Sequence, residues 1–426
     1  MALVIEGGLE VPLPRIVPIR QKFPAREVDN ISREIQRLFQ REERLKTLKK
    51  DARIAVSVGS RGIHSIGQIV HALVQELLRR ETKPFIVPAM GSHGGATAEG
   101  QRKVLEGYGI TDRTMGVPVV SSMEVKRIGE LKDGTPVYLD REALGSDGIV
   151  IVNRVKPHTA FKADYESGLL KMLAIGLGKH KGATAFHSCG IDQFGDLLPQ
   201  LGKVVIAHAP VLFGLALIEN AYDRPTRFEI VWKENMVERE KELLAEAKSL
   251  MPKIIPDDLH LLIVHEMGKE ISGSGMDPNI TGRSSSRHFQ KSDALRAERI
   301  AVLNLTPASK GNAAGIGVAD VTTKKLVDSI DLDYTYVNAI TSGILPTARI
   351  PIHMPTDREA ILLALKTCPR VKHPESRIIW IKNTLSLENI YASEPMLPEI
   401  QRQPQLEITG DPRPIPFDEK GNLMLS

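Results

Sequence analysis

The chain has 426 residues, 42% of them hydrophobic, 25% charged and only 4% aromatic. That length exceeds one ordinary domain and supplies two cores, and the composition excludes a chain that is mainly disordered. A net charge of +4, set by 56 basic and 52 acidic residues, argues against a protein held to nucleic acid by phosphate contacts, and the shortage of aromatics leaves no evident platform for stacking bases. Met1–Arg26 reads as extended chain broken by Pro12, Pro14, Pro18 and Pro24. Asp29–Leu48 carries Ile31, Ile35, Leu38, Phe39, Leu45 and Leu48 at helical spacing. Ala52–Val58 predicts a buried strand, and Ser65 is expected to cap a helix with Ile66, Ile69, Val70, Leu73, Val74, Leu77 and Leu78 on one side. Phe85–Val87 begins another strand, which runs into Gly91-Ser92-His93-Gly94-Gly95, and a helix follows from about Ala98. Strand, glycine-bearing loop and helix thus alternate, which is α/β grammar.

Gly148–Val152 predicts a strand that leads into Asn153–His158, and a polar, glycine-rich stretch occupies Thr159–Gly195. Phe228–Trp232 suggests a strand and Met236–Leu250 a helix. Pro252 and Pro256 mark a boundary. Beyond it Leu259–Val264, Arg299–Leu305 and Arg377–Ile381 are strand candidates, with a Gly- and Ser-rich loop over Gly268–Gly282. The expected architecture is two α/β domains, residues 1–252 and 257–385, with a ligand cleft between them. A proline-rich tail, 386–426, is expected to fold back on the N-terminal domain. No apolar run reaches the roughly 18 residues of a membrane helix, and no basic-then-apolar leader opens the chain. Cys189 and Cys368 are too far apart in sequence to form a zinc cluster or a disulfide framework by themselves. A cytoplasmic protein is expected.

In open α/β sheets ligands sit beyond the carboxyl ends of the strands, and the unusual residues of this chain lie there. Of twelve histidines, most read as surface or hydrogen-bonded core residues. His93 stands between a strand and a helix in a loop that exposes backbone N–H groups, where an imidazole can act as a base near neutral pH. The plainer alternative is a helix cap with an incidental histidine. His158 follows Pro157 at the end of a strand. Lys171 sits among Leu169, Leu170, Met172 and Leu173, surroundings that favour a neutral, nucleophilic amine, although a snorkelling lysine would look the same. His187 follows sixteen residues later. There is no HExxH, CxxC, GxxxxGK[ST] or GxSxG motif, and the dinucleotide GxGxxG is missing after the first strand.

Taken in order and spacing, Ser60-Arg61, Gly91-Ser92-His93, His158, Gly168–Gly178 with Lys171, and His187 resemble the nickel-pincer lactate racemases and their 2-hydroxyacid racemase and epimerase relatives. The resemblance covers Ala52–His187 best. It implies a nickel-pincer nucleotide, that is, nickel bound by a pyridinium-3-thioamide-5-thiocarboxylic acid mononucleotide. Lys171 would be its covalent tether and His187 its protein nickel ligand, and imidazole suits square-planar nickel. Arg61, Ser92, Gly94, Gly95 and Gly176 would contact the cofactor. His93 and His158 would be the catalytic bases on opposite faces of the substrate, and Arg61 would also bind a carboxylate or phosphate. Separate cofactor-maturation proteins are implied as partners.

The chemistry fits that set. The α-hydrogen of a 2-hydroxy acid is poorly acidic, so hydride transfer to an organic sink avoids a carbanion. Return of hydride to the other face of the 2-keto intermediate inverts the centre. Two departures from the family stand out. Val58 occupies the place of an Asp three residues before the Arg, and Ser272–Asn279 lacks the family's Tyr-Gln and Lys. A roomier pocket is expected, for a substrate larger than lactate such as a sugar acid or hydroxy diacid. Ser274 and Lys310 are the second-domain candidates for binding it. The alternative is a catalytically inactive small-molecule or metal-binding relative on the same scaffold.

Overall fold

The computed structural model describes residues 8–60, 62–289, 295–369 and 371–425. The chain divides into two compact units, Pro24–Met251 and Met1–Phe23 with Pro252–Ser426. Among the described residues no helix is long and apolar enough to cross a membrane.

In chain order the strands are β1 (Ile16–Gln21), β2 (Arg53–Val58), β3 (Lys83–Pro88), β4 (Val125–Glu130), β5 (Pro136–Asp140), β6 (Gly148–Arg154), β7 (Val211–Glu219) and β8 (Pro225–Trp232). They continue as β9 (Asp258–Met267), β10 (Arg296–Leu305), β11 (Val321–Thr323), β12 (Ile352–Met354), β13 (Ile378–Ile381), β14 (Asn389–Ser393) and β15 (Leu406–Ile408).

The unit Pro24–Met251 is built on a five-stranded sheet of order β3-β2-β6-β7-β8, with β4 and β5 as a separate hairpin. The first four strands are parallel and β8 closes the edge antiparallel. Successive residues of a strand face opposite sides of a sheet, so a strand covered on both sides must be apolar throughout. The central strands obey this. Ala55, Ile149, Ile151, Ala216 and Ile218 enter one core, where the helices Phe194–His208 and Met236–Leu250 pack. Ile54, Val56, Val58, Val150, Val152, Leu215 and Leu217 enter the other, under the helices Ile31–Arg41 and Ile66–Leu78. β2 leads to β3 on one side while β6 lies on its other side, so the strand order reverses between β2 and β6. Such a reversal opens a crevice at the carboxyl ends of the strands.

The other unit holds an eight-stranded sheet of order β12-β11-β10-β9-β13-β14-β1-β15. β12 through β13 are parallel, and β13, β14, β1 and β15 alternate antiparallel. Trp380 on β13 stacks on Tyr391 of β14 with ring centroids 4.3 Å apart.

Three expectations are corrected here. Residues 16–21 do not stay with the N-terminal domain: β1 pairs with β14 through Val17 opposite Ala392 and with β15 through Ile19 opposite Ile408. The tail, expected to pack on the N-terminal domain, supplies β14 and β15 to the eight-stranded sheet of the other unit. Both ends of the chain thus hide each other's strand edges. Ser65 begins its helix in a left-handed conformation (φ 57°) and its hydroxyl makes no capping bond. Side-chain caps do occur on the neighbouring helices, where Asn30 and Thr97 accept from Arg33 N–H and Gly100 N–H.

Candidate active site

The three adjacent parallel strands β3, β2 and β6 each end in a segment that bears a candidate residue. Beyond β2, the Ser60 hydroxyl lies 2.5 Å from Nδ1 of His93. Arg61, expected to bind an anion, lies outside the described residues. The carbonyl of Ser60 accepts from the Tyr108 hydroxyl, which fixes this turn from behind.

Beyond β3, the loop that carries His93 is folded by glycine geometry. Gly94 and Gly95 take φ values of 67° and 65°. A Cβ on Gly94 would stand 2.6 Å from the Gln101 nitrogen, so this turn lies flat against the first turn of the helix Ala98–Gly107. Ser92 and His93 are exposed. Gly91 N–H donates to the Gly176 carbonyl at 3.2 Å, which joins this loop to the lysine segment. Gly176 itself is buried with no room for a side chain, since a Cβ would stand 2.7 Å from the Ala89 carbonyl oxygen. Its observed role is close packing of two backbones.

Beyond β6, the loop that carries His158 wraps a buried carboxylate. Glu166 is 0% exposed and accepts from His158 N–H at 2.6 Å and from Ala163 N–H at 3.2 Å. Lys162 and Lys248 neutralise it, at 3.3 Å and 2.6 Å. The imidazole of His158 lies against Phe161 with centroids 4.5 Å apart, and its Nδ1 accepts from Ala160 N–H at 3.1 Å. A ring nitrogen that accepts is unprotonated, so the neutral tautomer of His158 carries its proton on Nε2.

Lys171 closes a short turn, Leu169–Lys171, that runs into a π-helical stretch, Met172–Gly176. Widened helical turns of this kind recur at functional sites. Two buried side chains hold the turn. Asn153 donates to the Gly168 carbonyl at 2.8 Å, and Glu240, from the helix Met236–Leu250, accepts from Leu170 N–H at 2.8 Å. Burial raises the Glu240 carboxyl to about 7, against the pull of the Leu170 and Leu169 N–H groups.

His187 sits in the last turn of the helix Lys179–Ser188. Its residue surface is exposed, yet the protein mass around the imidazole and then the nearby Lys171 charge both push its pKa below the ordinary histidine value. A neutral imidazole is the form that binds a metal. His187 packs edge-on to Phe194 (5.2 Å) and Phe186 (5.9 Å), and Phe194 in turn meets Phe161 (5.7 Å). His158 and His187 therefore stand at two ends of one phenylalanine cluster.

The structure thus brings His93, His158, Lys171 and His187 to segments that interlock in one unit. Ser274 and Lys310 belong to the other unit. There the Ser274 backbone presses on Gly315, and Lys310 is exposed in a left-handed turn (φ 50°). Lys269 is a structural residue, with Nζ donating to the Gly273 carbonyl at 2.5 Å and to Asn338 Oδ1 at 2.6 Å. Sequence reasoning missed Glu166, Glu240, Gln101 and Lys179. For Glu240 a signal existed: it stands on the apolar stripe of Val237, Leu243, Leu244 and Ala247. Among the described residues no three of His, Cys, Asp and Glu gather as a metal cluster.

Comparison with known proteins gives two kinds of match. Residues 13–194 match the family model for the lactate racemase N-terminal domain. The fold is similar to that of the lactate racemase apoprotein from Thermoanaerobacterium thermosaccharolyticum, with a TM-score of 0.53 and 14% identity over 87% of this chain and 99% of that one. It is also similar to a protein of known structure from Thermotoga maritima, with a TM-score of 0.52 and 14% identity over 85% and 99%. No curated protein matches the chain.

Proposed function

We propose that this chain, a lactate racemase-like protein whose residues 13–194 match the family model for the lactate racemase N-terminal domain, is a nickel-pincer-dependent racemase or epimerase of a 2-hydroxy acid. The observation that carries the reading is the pairing of Lys171 with a His187 held toward its neutral form, flanked by His93 and His158 on neighbouring strand ends. The residues suit the cofactor. Lys171 offers an amine for a covalent tether and His187 one nitrogen donor. With no protein cluster of three donors among the described residues, the remaining donors would come from the cofactor. When bound, that group supplies an organic hydride acceptor.

The chain's own residues would handle the proton. His93 meets Ser60 through Nδ1, so Nε2 is the nitrogen through which it exchanges a proton with the substrate hydroxyl. His158, whose Nδ1 accepts from Ala160 N–H, is a neutral imidazole that presents Nε2–H as a hydrogen-bond donor to the substrate oxygen. To take a proton when the opposite enantiomer reacts, Nε2 must first be freed by a change of tautomer that gives up the Ala160 contact. The phenylalanine cluster gives His158 and His187 an apolar flank. The substrate we infer is larger than lactate, a sugar acid or hydroxy diacid.

The test is a panel of enantiopure 2-hydroxy acids followed by polarimetry in D2O with cofactor-loaded protein. Inversion of a sugar acid or hydroxy diacid with hydrogen retained at C2 is expected, because hydride returns without exchange with solvent. Deuterium at C2 would replace hydride transfer by proton abstraction, and turnover of lactate alone would remove the larger substrate. No turnover of any acid by loaded protein would favour the inactive binding relative.

A further inference from the structure

Behind the His93 loop lies a group that the proposed chemistry does not use. Lys179 is 0% exposed, one of the largest fully buried side chains of the protein. It also adopts a left-handed backbone (φ 53°), a conformation costly for a residue with a Cβ. Its Nζ donates to the Pro88 carbonyl at the end of β3 and to Gln101 Oε1 at 3.1 Å. Asp140 Oδ2, which has no hydrogen bond of its own, lies 3.3 Å from the same Nζ as an ion-pair partner. Burial pulls the Lys179 pKa down and lifts that of Asp140, while their mutual attraction opposes both. Removing a charged pair from water is expensive, and a buried pair is weak evidence of added stability.

The buried charge has a direct structural output. Lys179 holds the oxygen of the Gln101 amide, and this fixes which way the amide points. The nitrogen, Nε2, then donates to the Gly91 carbonyl at 2.8 Å and to the His93 carbonyl at 3.3 Å. Gln101 is itself wholly buried. Without the lysine the buried amide oxygen would lose its Lys179 donor, and the amide that holds the two carbonyls would lose one of its restraints. The chain of contacts therefore runs from Asp140 on β5, through Lys179, to the backbone that carries His93.

We propose that Lys179, acting through Gln101, is a positioning residue for His93: it locks the Gln101 amide so that the Gly91 and His93 carbonyls are held and the imidazole meets Ser60. The catalytic sense of this rests on the reading that His93 exchanges the substrate proton. The positioning itself does not, and it is tested on the full chain without substrate or cofactor.

The experiment is histidine nitrogen NMR on the 15N-labelled full chain, with the His93 signals assigned through His93→Gln. The variants are Lys179→Met, Gln101→Met and the double variant. Lys179→Met leaves Asp140 buried and unpaired, so if it does not fold, Gln101→Met decides alone. The expected result is a displaced or exchange-broadened Nδ1 signal for His93 in each variant, with the His158 and His208 signals unmoved. The double variant should match Gln101→Met, because the lysine acts through the amide. Two results would overturn the proposal: a His93 signal unchanged in folded Gln101→Met, or histidine signals that all move together, as a general loosening would produce. A failure of the racemase reading would leave either NMR outcome intact.

Discussion

The two histidine loops solve one problem by different means. The loop of His93 is held by backbone geometry and a neutral amide: two glycines at positive φ, a close approach to the helix Ala98–Gly107, and two carbonyls on Gln101 Nε2. The loop of His158 is held by charge. Its centre is the buried Glu166 carboxylate, which collects two backbone N–H groups and two lysines. A clamp built on glycines and an amide fixes where the backbone goes. A buried carboxylate gives stronger, charge-assisted bonds, but nothing else in the loop can replace it. The histidines inherit this difference. His93 is placed by its backbone and aligned by Ser60, whereas His158 is held from both sides, by Phe161 on its ring and by Ala160 N–H on Nδ1.

The largest effect that should separate the two loops comes from Glu166→Ala. It leaves two backbone N–H groups and two ammonium groups without their shared acceptor, and about 3–5 kcal/mol of stability should be lost, as when one partner of a buried ion pair is removed. Urea unfolding measures this, and a loss well under 1 kcal/mol would show that the loop does not depend on its carboxylate. A second effect concerns Glu240, the carboxylate behind Lys171. Its folded pKa is about 7 against an ordinary value of 4.5, so between those pH values the unfolded state gives up its proton while the folded state keeps it. Stability from this group is present below pH 4.5 and is lost as pH rises toward 7, by about 3 kcal/mol at most. Glu240→Gln should remove that slope from a series of unfolding curves at pH 4 to 8, and an unchanged slope would place the titration elsewhere. The smallest effect belongs to the neutral clamp. Gly94→Ala forces a side chain into φ 67° against the Gln101 backbone and should cost about 2 kcal/mol. The same histidine NMR should then show His93 displaced and His158 in place. If both moved, the loops would not be independently held.

Much of this was legible in the sequence. The helix Met236–Leu250 has the expected bounds, and Ala52–Val58 and Arg299–Leu305 appear as β2 and β10 with ends shifted by at most three residues. These segments carry regular apolar periodicity, which is a local property. The placement of residues 16–21 was not legible, because strand pairing across the whole chain leaves no local mark. In the site, His93 and His158 stood out as histidines beside glycine and proline, Lys171 as a lysine among leucines, and His187 by following that lysine after sixteen residues. Their supports did not. Lys179 stands in Lys179-His180-Lys181, where the pattern suggests solvent, and only the fold reveals that one of the two lysines is sealed against Asp140. Glu240 breaks an apolar stripe and could have been found by asking what a carboxylate does there.

Intact mass, with nickel quantified on the same sample, tests the proposal that Lys171 and His187 together hold a nickel-bearing nucleotide. The chain would be produced in a host that makes the cofactor. The expected result is a mass increment that maps by digestion to Lys171, near-stoichiometric nickel, and loss of that nickel in His187→Ala. An unmodified Lys171 without nickel, from a host shown to load a related enzyme, would contradict it.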